Sequence, residues 1–343
     1  MKALVLNAYN DFSYEEVAAP EFGPDEVLIR VKACGICGSD VHGMDGSTGR
    51  RIPPIIMGHE ASGTIAQTGT HVKNWKKGDR VTFDSTIYRL DDWYTRKGLY
   101  NLSDGRMVLG VSCGDYRRHG AFAEYVAVPQ HILYRIPEKV GFNQAAMVEP
   151  AAVALHAVEL TRISINDTAV VVGAGMIGLF VIQALRAKGC GSITAVDVAQ
   201  DRLDLALRLG ADKGLQPERP DLIQEIRSLS GGRGADIAFD AVGLGQTLKT
   251  ALSALRRGGS CTLVGNLSPS VDLPLQAVVT QQIRLQGSCA ICGEYPLVLA
   301  MIERGALNVD ALLSATAPLS EGAAWFKRLY GKEHGLMKVI LNP

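Results

Sequence analysis

The segment TAVVVGAGMIGLFVIQALRAKGCGSITAVDV constrains the fold of this chain more than any other. An apolar run ends in Gly173-Ala174-Gly175-Met176-Ile177-Gly178, a helical stretch follows, and a second apolar run ends at Asp197, 24 residues past Gly173. Two buried strands joined through a helix must lie parallel in one sheet, because only a crossover connection returns the chain to the same edge. Gly173 makes the tight turn, Gly175 lets a pyrophosphate approach the backbone, and Gly178 lets the helix pack closely on the strand. The helix start at Met176 and Ile177 offers N–H donors and positive potential to the phosphates. Asp197 accepts from the ribose hydroxyls and repels a 2′-phosphate, which predicts NAD over NADP, while Arg202, five positions on, is placed to reach such a phosphate and weighs the other way.

At 343 residues the chain exceeds the usual single-domain size, so two domains sharing a cleft are expected. Residues 1–154 carry short β-like runs (KALVL, EVLIRVKA, RVTF, FAEYVAV) between Gly, Pro and Asp turns, the pattern of a mainly antiparallel β domain. Residues 155–290 alternate strand and helix, as a dinucleotide-binding domain does, and 291–343 are too few for a third domain and are expected to return to the first. The fold class is α/β with a mainly antiparallel β partner domain. Lys plus Arg equals Asp plus Glu at 35 each, without a run of one sign, which argues against nucleic-acid and anionic-membrane partners and for a small molecule. The N-terminal stretch places acids where a signal peptide continues its apolar run, and no membrane-spanning stretch is present, so a cytoplasmic location is expected. Seven cysteines, an odd number in a long chain, fit reduced thiols better than a disulfide framework.

Chemistry concentrates in three short motifs of the first domain. Cys37-Gly38-Ser39-Asp40-Val41-His42 is followed by Gly58-His59-Glu60 and by Val148-Glu149-Pro150. A thiolate, an imidazole and a carboxylate that leave one position open form a catalytic zinc set. CGSDVH, GHE-x-SG and VEP, followed by the glycine fingerprint, resemble the polyol branch of the zinc-dependent medium-chain dehydrogenases over nearly the whole chain, with sorbitol and galactitol-1-phosphate dehydrogenases as its members. The resemblance implies a GroES-like catalytic domain, zinc on Cys37 and His59, and Glu60 and Glu149 sharing the remaining duty. It further implies a proton path from Ser39 through the nicotinamide ribose to His42, with Asp40 steadying a ligand, and NAD-dependent oxidation of a secondary alcohol of a polyol or sugar-derived substrate. Dimers or tetramers are implied too. Two other readings are an L-threonine 3-dehydrogenase-like oxidation of an amino alcohol and a catalytically inactive NAD-binding regulatory protein, against which the intact Cys37, His59, Glu60 and Glu149 argue.

One lobe departs from the family pattern. Arg89, Asp92, Thr95 and Ser103 stand at the four metal positions of a C-x2-C-x2-C-x7-C frame, so no structural zinc is expected and one zinc per chain remains. An Arg89–Asp92 ion pair and packing of Trp93, Tyr94, Tyr100 and Leu102 are the expected replacements for the metal. Arg50, Arg51, Arg117 and Arg118 are expected mainly at the surface, with recognition of a phosphate or carboxylate as their other use. Cys34 and Cys113 read as packed thiols, His156 as a buried structural histidine, and the Cys289/Cys292 pair is not expected to join Cys34 and Cys37 in a metal site.

Overall fold

A computed structural model describes residues 1–343 and divides into two compact units. The first comprises residues 1–149, 291–305 and 309–343, and the second comprises 150–290 with 306–308. The division falls between Glu149 and Pro150, inside the helix Val148–Leu160.

In the first unit, Glu26–Gly35 is the central strand of a seven-stranded sheet, flanked by Glu60–Thr68 on one side and by Tyr125–Pro129 and Lys338–Asn342 on the other. All three neighbours run antiparallel to it, while Leu313–Pro318 joins Lys338–Asn342 in parallel at the edge. Alternation along these strands buries Val27, Ile29, Val31, Ile65, Val81 and Phe83 in one core, closed by Phe122, Phe326, Val339 and Leu341. The C-terminal residues therefore complete the first unit's sheet and its core.

The second unit is a six-stranded, all-parallel sheet. Its spatial order is Lys213–Leu215, Ser192–Val196, Thr168–Val172, Ala235–Asp240, Leu255–Leu263 and Arg284–Gly287. Numbered along this unit's own sequence the order is 3-2-1-4-5-6, the doubly wound arrangement whose direction reverses between the first and fourth strands. Ala169, Val170, Val171 and Val172 are buried, as expected for a strand covered on both faces. No helix is long and apolar enough to cross a membrane.

Candidate metal centre and dinucleotide cradle

Three neighbouring strands build the metal side of the first unit. Gly35 lies opposite Glu60 in one ladder and opposite Ile340 in the other. A Cβ at Gly35 would collide with the Glu60 carboxylate, so the missing side chain is what lets Lys338 reach across to it. Lys338 Nζ donates to Glu60 Oε2 at 2.5 Å and to the Ile36 carbonyl at 3.0 Å, with both side chains buried. Glu60 Oε1 is buried and has no hydrogen-bond partner. Gly58 precedes His59 at φ +94, and a Cβ there would meet the Cys34 sulfur and Phe122, so the turn that delivers His59 and Glu60 requires glycine.

Cys37 stands before the short helix Gly38–Gly43, and the ligand atoms of Cys37, His59 and Glu60 all lie within 4.8 Å of one another. Asp40, on that helix, is wholly buried and places Oδ2 3.5 Å from His59 Nδ1. Burial opposes its ionisation, yet His59 and the Arg51 guanidinium beside it hold its carboxyl well below the usual range. Burial likewise opposes a charged His59, and Asp40 and Cys37 outweigh it to raise the imidazole's pKa. The Ser39 hydroxyl is exposed and lies 3.3 Å from Cys37 Sγ, and the His42 ring on the same helix is exposed.

Glu149 sits outside the three-residue cluster, half-buried at the start of the helix Val148–Leu160, where Ser85 Oγ donates to it at 3.3 Å. Loss of solvent, with the nearby carboxylates Glu60 and Asp84, pushes its pKa up to about 7 against the pull of His59 and Lys338. A thiol at Cys37 beside a buried imidazole and a buried carboxylate, with Glu60 Oε1 left unpartnered and the Asp40 carboxylate behind the imidazole, is a donor set that zinc fits.

In the second unit Gly173 takes φ +95, and a Cβ at Gly178 would clash with the Gly173 carbonyl. A Cβ at Gly175 would meet nothing within 4 Å, so the backbone there is open to a ligand. Asp197 ends its strand and turns back to the glycine loop, accepting from Ala174 N at 2.7 Å and Ala199 N at 2.9 Å. The Arg202 guanidinium is 4.0 Å from Asp197. Asp240, at the end of the strand on the other side of Thr168–Val172, is buried and accepts from Val242 N, Gly243 N and Thr247 Oγ1, a second acidic anchor at this end of the sheet that the sequence reading passed over.

The lobe without cysteines is held by one carboxylate. Asp92 accepts from Tyr94 N, Thr95 N and Asp104 N at 2.9, 3.2 and 3.3 Å, and Ser103 Oγ accepts from Arg89 N at 3.4 Å. Hydrogen bonds thus link the four positions of the frame, Thr95 to Asp92 and Arg89 to Ser103. Arg89 is not Asp92's partner, contrary to the expected ion pair: its guanidinium takes Asp91 at 3.1 and 3.2 Å, because the backbone donors already occupy Asp92. Trp93 and Leu102 are 63% and 42% exposed, and Trp93 meets the Tyr94 ring edge-on at 5.0 Å, while Tyr100 stacks on Tyr88 and donates to Asp84. Arg51 also departs from its expected surface position. It is 4% exposed and bound to Asp40. Arg118 pairs with Glu26 at 2.5 Å, and Arg117 donates to Ser112 Oγ. Cys34 and His156 are buried, and all seven cysteines are unbridged.

Lys338, Arg51, Asp84 and Ser85 were missed as site residues. Lys338 left one signal, a lone charge heading the apolar strand KVIL.

Comparison with known proteins places these features in a family. Residues 23–138 match the alcohol dehydrogenase GroES-like domain, and residues 177–304 match the zinc-binding dehydrogenase family. A sorbitol dehydrogenase of Bacillus subtilis (strain 168) is 30% identical, over 100% of this chain and 97% of its own length. A protein of Escherichia coli CFT073, described as a short chain alcohol dehydrogenase complexed with NADH, superposes with a TM-score of 0.92 at 27% identity, covering 100% of this chain and 99% of its own. A zinc-binding dehydrogenase of Sinorhizobium meliloti 1021 bound to NADP superposes at 0.91 with 28% identity, covering 100% and 99%. The chain belongs to the zinc-binding dehydrogenases with a GroES-like domain, and it is an oxidoreductase that works with zinc and a nicotinamide cofactor.

Proposed function

We propose that this enzyme oxidises a secondary alcohol of a polyol or sugar-derived substrate to a ketone, with NAD as hydride acceptor and one zinc per chain. The observation that carries the reading is the convergence of Cys37, His59 and Glu60 within 4.8 Å, with Asp40 behind His59 and Lys338 behind Glu60. Cys37, His59 and Glu60 would hold the ion, through the Glu60 Oε1 that Lys338 leaves free, and Glu149 stands by as a second carboxylate. When bound, zinc supplies Lewis acidity that favours loss of the alcohol proton. Ser39 would relay that proton, its hydroxyl accepting it while giving up its own, and His42, exposed on the same helix, would release a proton to solvent. Asp197 at the ribose end of the cradle supports NAD over NADP, and its closeness to Arg202 reduces what that arginine can offer a 2′-phosphate. The sorbitol dehydrogenase relative supports the polyol class.

A homo-oligomer, dimer or tetramer, fits the second unit's edge. The strand Arg284–Gly287 is exposed along its length, and Leu273, Leu275, Val279 and Leu285 are exposed. Unbridged thiols fit a cytoplasmic location.

Elemental analysis of protein purified without chelator, followed by a polyol panel with NAD and NADP, tests the proposal. About one zinc per chain and NAD-dependent turnover of a polyol are expected. No zinc with bound nucleotide, or two zinc ions, would refute it, and light scattering of a monomer at micromolar concentration would refute the oligomer.

A further inference from the structure

Arg51 is a cation buried in a loop that the sequence reading gave to solvent. Its backbone is fixed on the neighbouring strand, with Ile52 N donating to the Ser112 carbonyl at 3.0 Å and Ser112 N to the Arg50 carbonyl at 3.3 Å. From there the guanidinium meets three acceptors. Nε and Nη2 both donate to Asp40 Oδ1, at 3.0 and 2.8 Å, Nη2 also reaches Ser39 Oγ at 3.3 Å, and Nη1 takes the Arg50 carbonyl at 2.9 Å. Room for the side chain comes from Gly43, where a Cβ would collide with it.

Two of these contacts have a directional consequence. With Oδ1 occupied by the fork, Asp40 turns Oδ2 toward His59 Nδ1, 3.5 Å away, which favours the proton on Nδ1 and leaves Nε2 as the atom offered to a metal. With a guanidinium N–H on the Ser39 oxygen, the hydroxyl's own proton points to Cys37 Sγ at 3.3 Å. One planar cation therefore orients a candidate ligand and a candidate proton carrier together. A lysine, with its charge on a single nitrogen, has no fork to span both.

We propose that Arg51 is a positioning residue of this centre, holding Asp40 against His59 and orienting the Ser39 hydroxyl. The inference rests on the reading of Cys37, His59 and Glu60 as a zinc site. It is tested with Arg51→Lys, Gly43→Ala, which crowds the aliphatic stem of Arg51 without altering charge, and Asp40→Asn/Arg51→Gln, which removes both charges if the single variant fails to fold. The readouts are zinc affinity by competition with a chelating dye, kcat and KM across pH, and thermal melting. Arg51→Lys and the double variant should bind zinc about 10- to 100-fold more weakly. They should lose kcat more than KM, with a displaced pH profile, and Gly43→Ala should shift the same quantities less. Zinc affinity within twofold of wild type and an unchanged pH profile in Arg51→Lys and the double variant, even with lowered melting, would reduce Arg51 to a fold-stabilising residue and overturn the inference. A wild-type protein that takes up no zinc would remove the underlying reading and this inference with it, a result distinguishable because it appears before any substitution is made.

Discussion

Lys338 Nζ lies 2.5 Å from Glu60 Oε2, across 278 residues of sequence, with both side chains almost wholly removed from water. The pair ties the last strand to the metal side of the first unit. Breaking a buried pair costs more than the pair contributes, because the remaining charge stays buried without its partner. Lys338→Met should therefore lose about 3–5 kcal/mol of stability in urea unfolding. Lys338→Met/Glu60→Gln should recover most of that loss. Equal losses in the two variants would show that the lysine acts by packing.

Asp84 is wholly buried, and burial is the main reason its pKa is pushed up to about 6, against hydrogen bonds from Thr86 N and Tyr100. A carboxyl that holds its proton more tightly when folded stabilises the fold below its unfolded pKa, near 4. That contribution disappears as pH rises through 6. From pH 4 to pH 7 the wild type should lose about 2 kcal/mol relative to Asp84→Asn, measured by urea unfolding at each pH. A constant difference between the two proteins would show that Asp84 titrates normally.

Asp92 gathers three backbone amides, those of Tyr94, Thr95 and Asp104, into one carboxylate. Asp92→Ala should loosen the lobe and concentrate limited proteolysis between residues 88 and 106, with the zinc content of the protein unchanged. Loss of zinc from Asp92→Ala would mean that this lobe contributes to the metal site. Unaltered protease resistance would mean that the Tyr88 and Tyr100 stack alone suffices.

Asp197 both braces the glycine turn through Ala174 N and faces the ribose end of the cradle. Asp197→Ala should raise KM for NAD about 10- to 100-fold, the loss expected for a charge-assisted hydrogen bond. NADP should be affected less, because the repulsion of its phosphate is removed at the same time. Steady-state kinetics with both cofactors decides this, and an unchanged NAD to NADP ratio would take discrimination away from Asp197.

The glycine turn between strand and helix was legible because all of its parts are local. Gly173, Gly175 and Gly178 lie within one turn and the start of one helix, and their roles depend on φ and on the absence of a Cβ, properties of the residues themselves. Cys37, His59 and Glu60 were legible as residue types, since a thiol, an imidazole and an acid in glycine-framed motifs have few other joint uses. The reading failed where the partner was distant or where charge was judged by its usual surroundings. Arg51 was assigned to solvent because arginine usually is, and Arg89 was given to Asp92 where backbone amides had already claimed it.

By itself, then, the sequence determined the parallel nucleotide-binding unit, the β-rich partner unit, the donor types at the candidate metal centre and the missing cysteines of the lobe. Local backbone preference, hydrophobic periodicity and ligand chemistry act over a few residues, so they can be read in one dimension. Only the tertiary structure decided that Lys338 neutralises Glu60, that Arg51 holds Asp40 and Ser39, and that Asp92 closes the lobe. Those outcomes depend on which buried charge meets which across a ladder or a loop. Desolvation makes an unpaired charge too costly to leave alone, yet the choice of partner is made by strand register and by the gaps that Gly35 and Gly43 leave open.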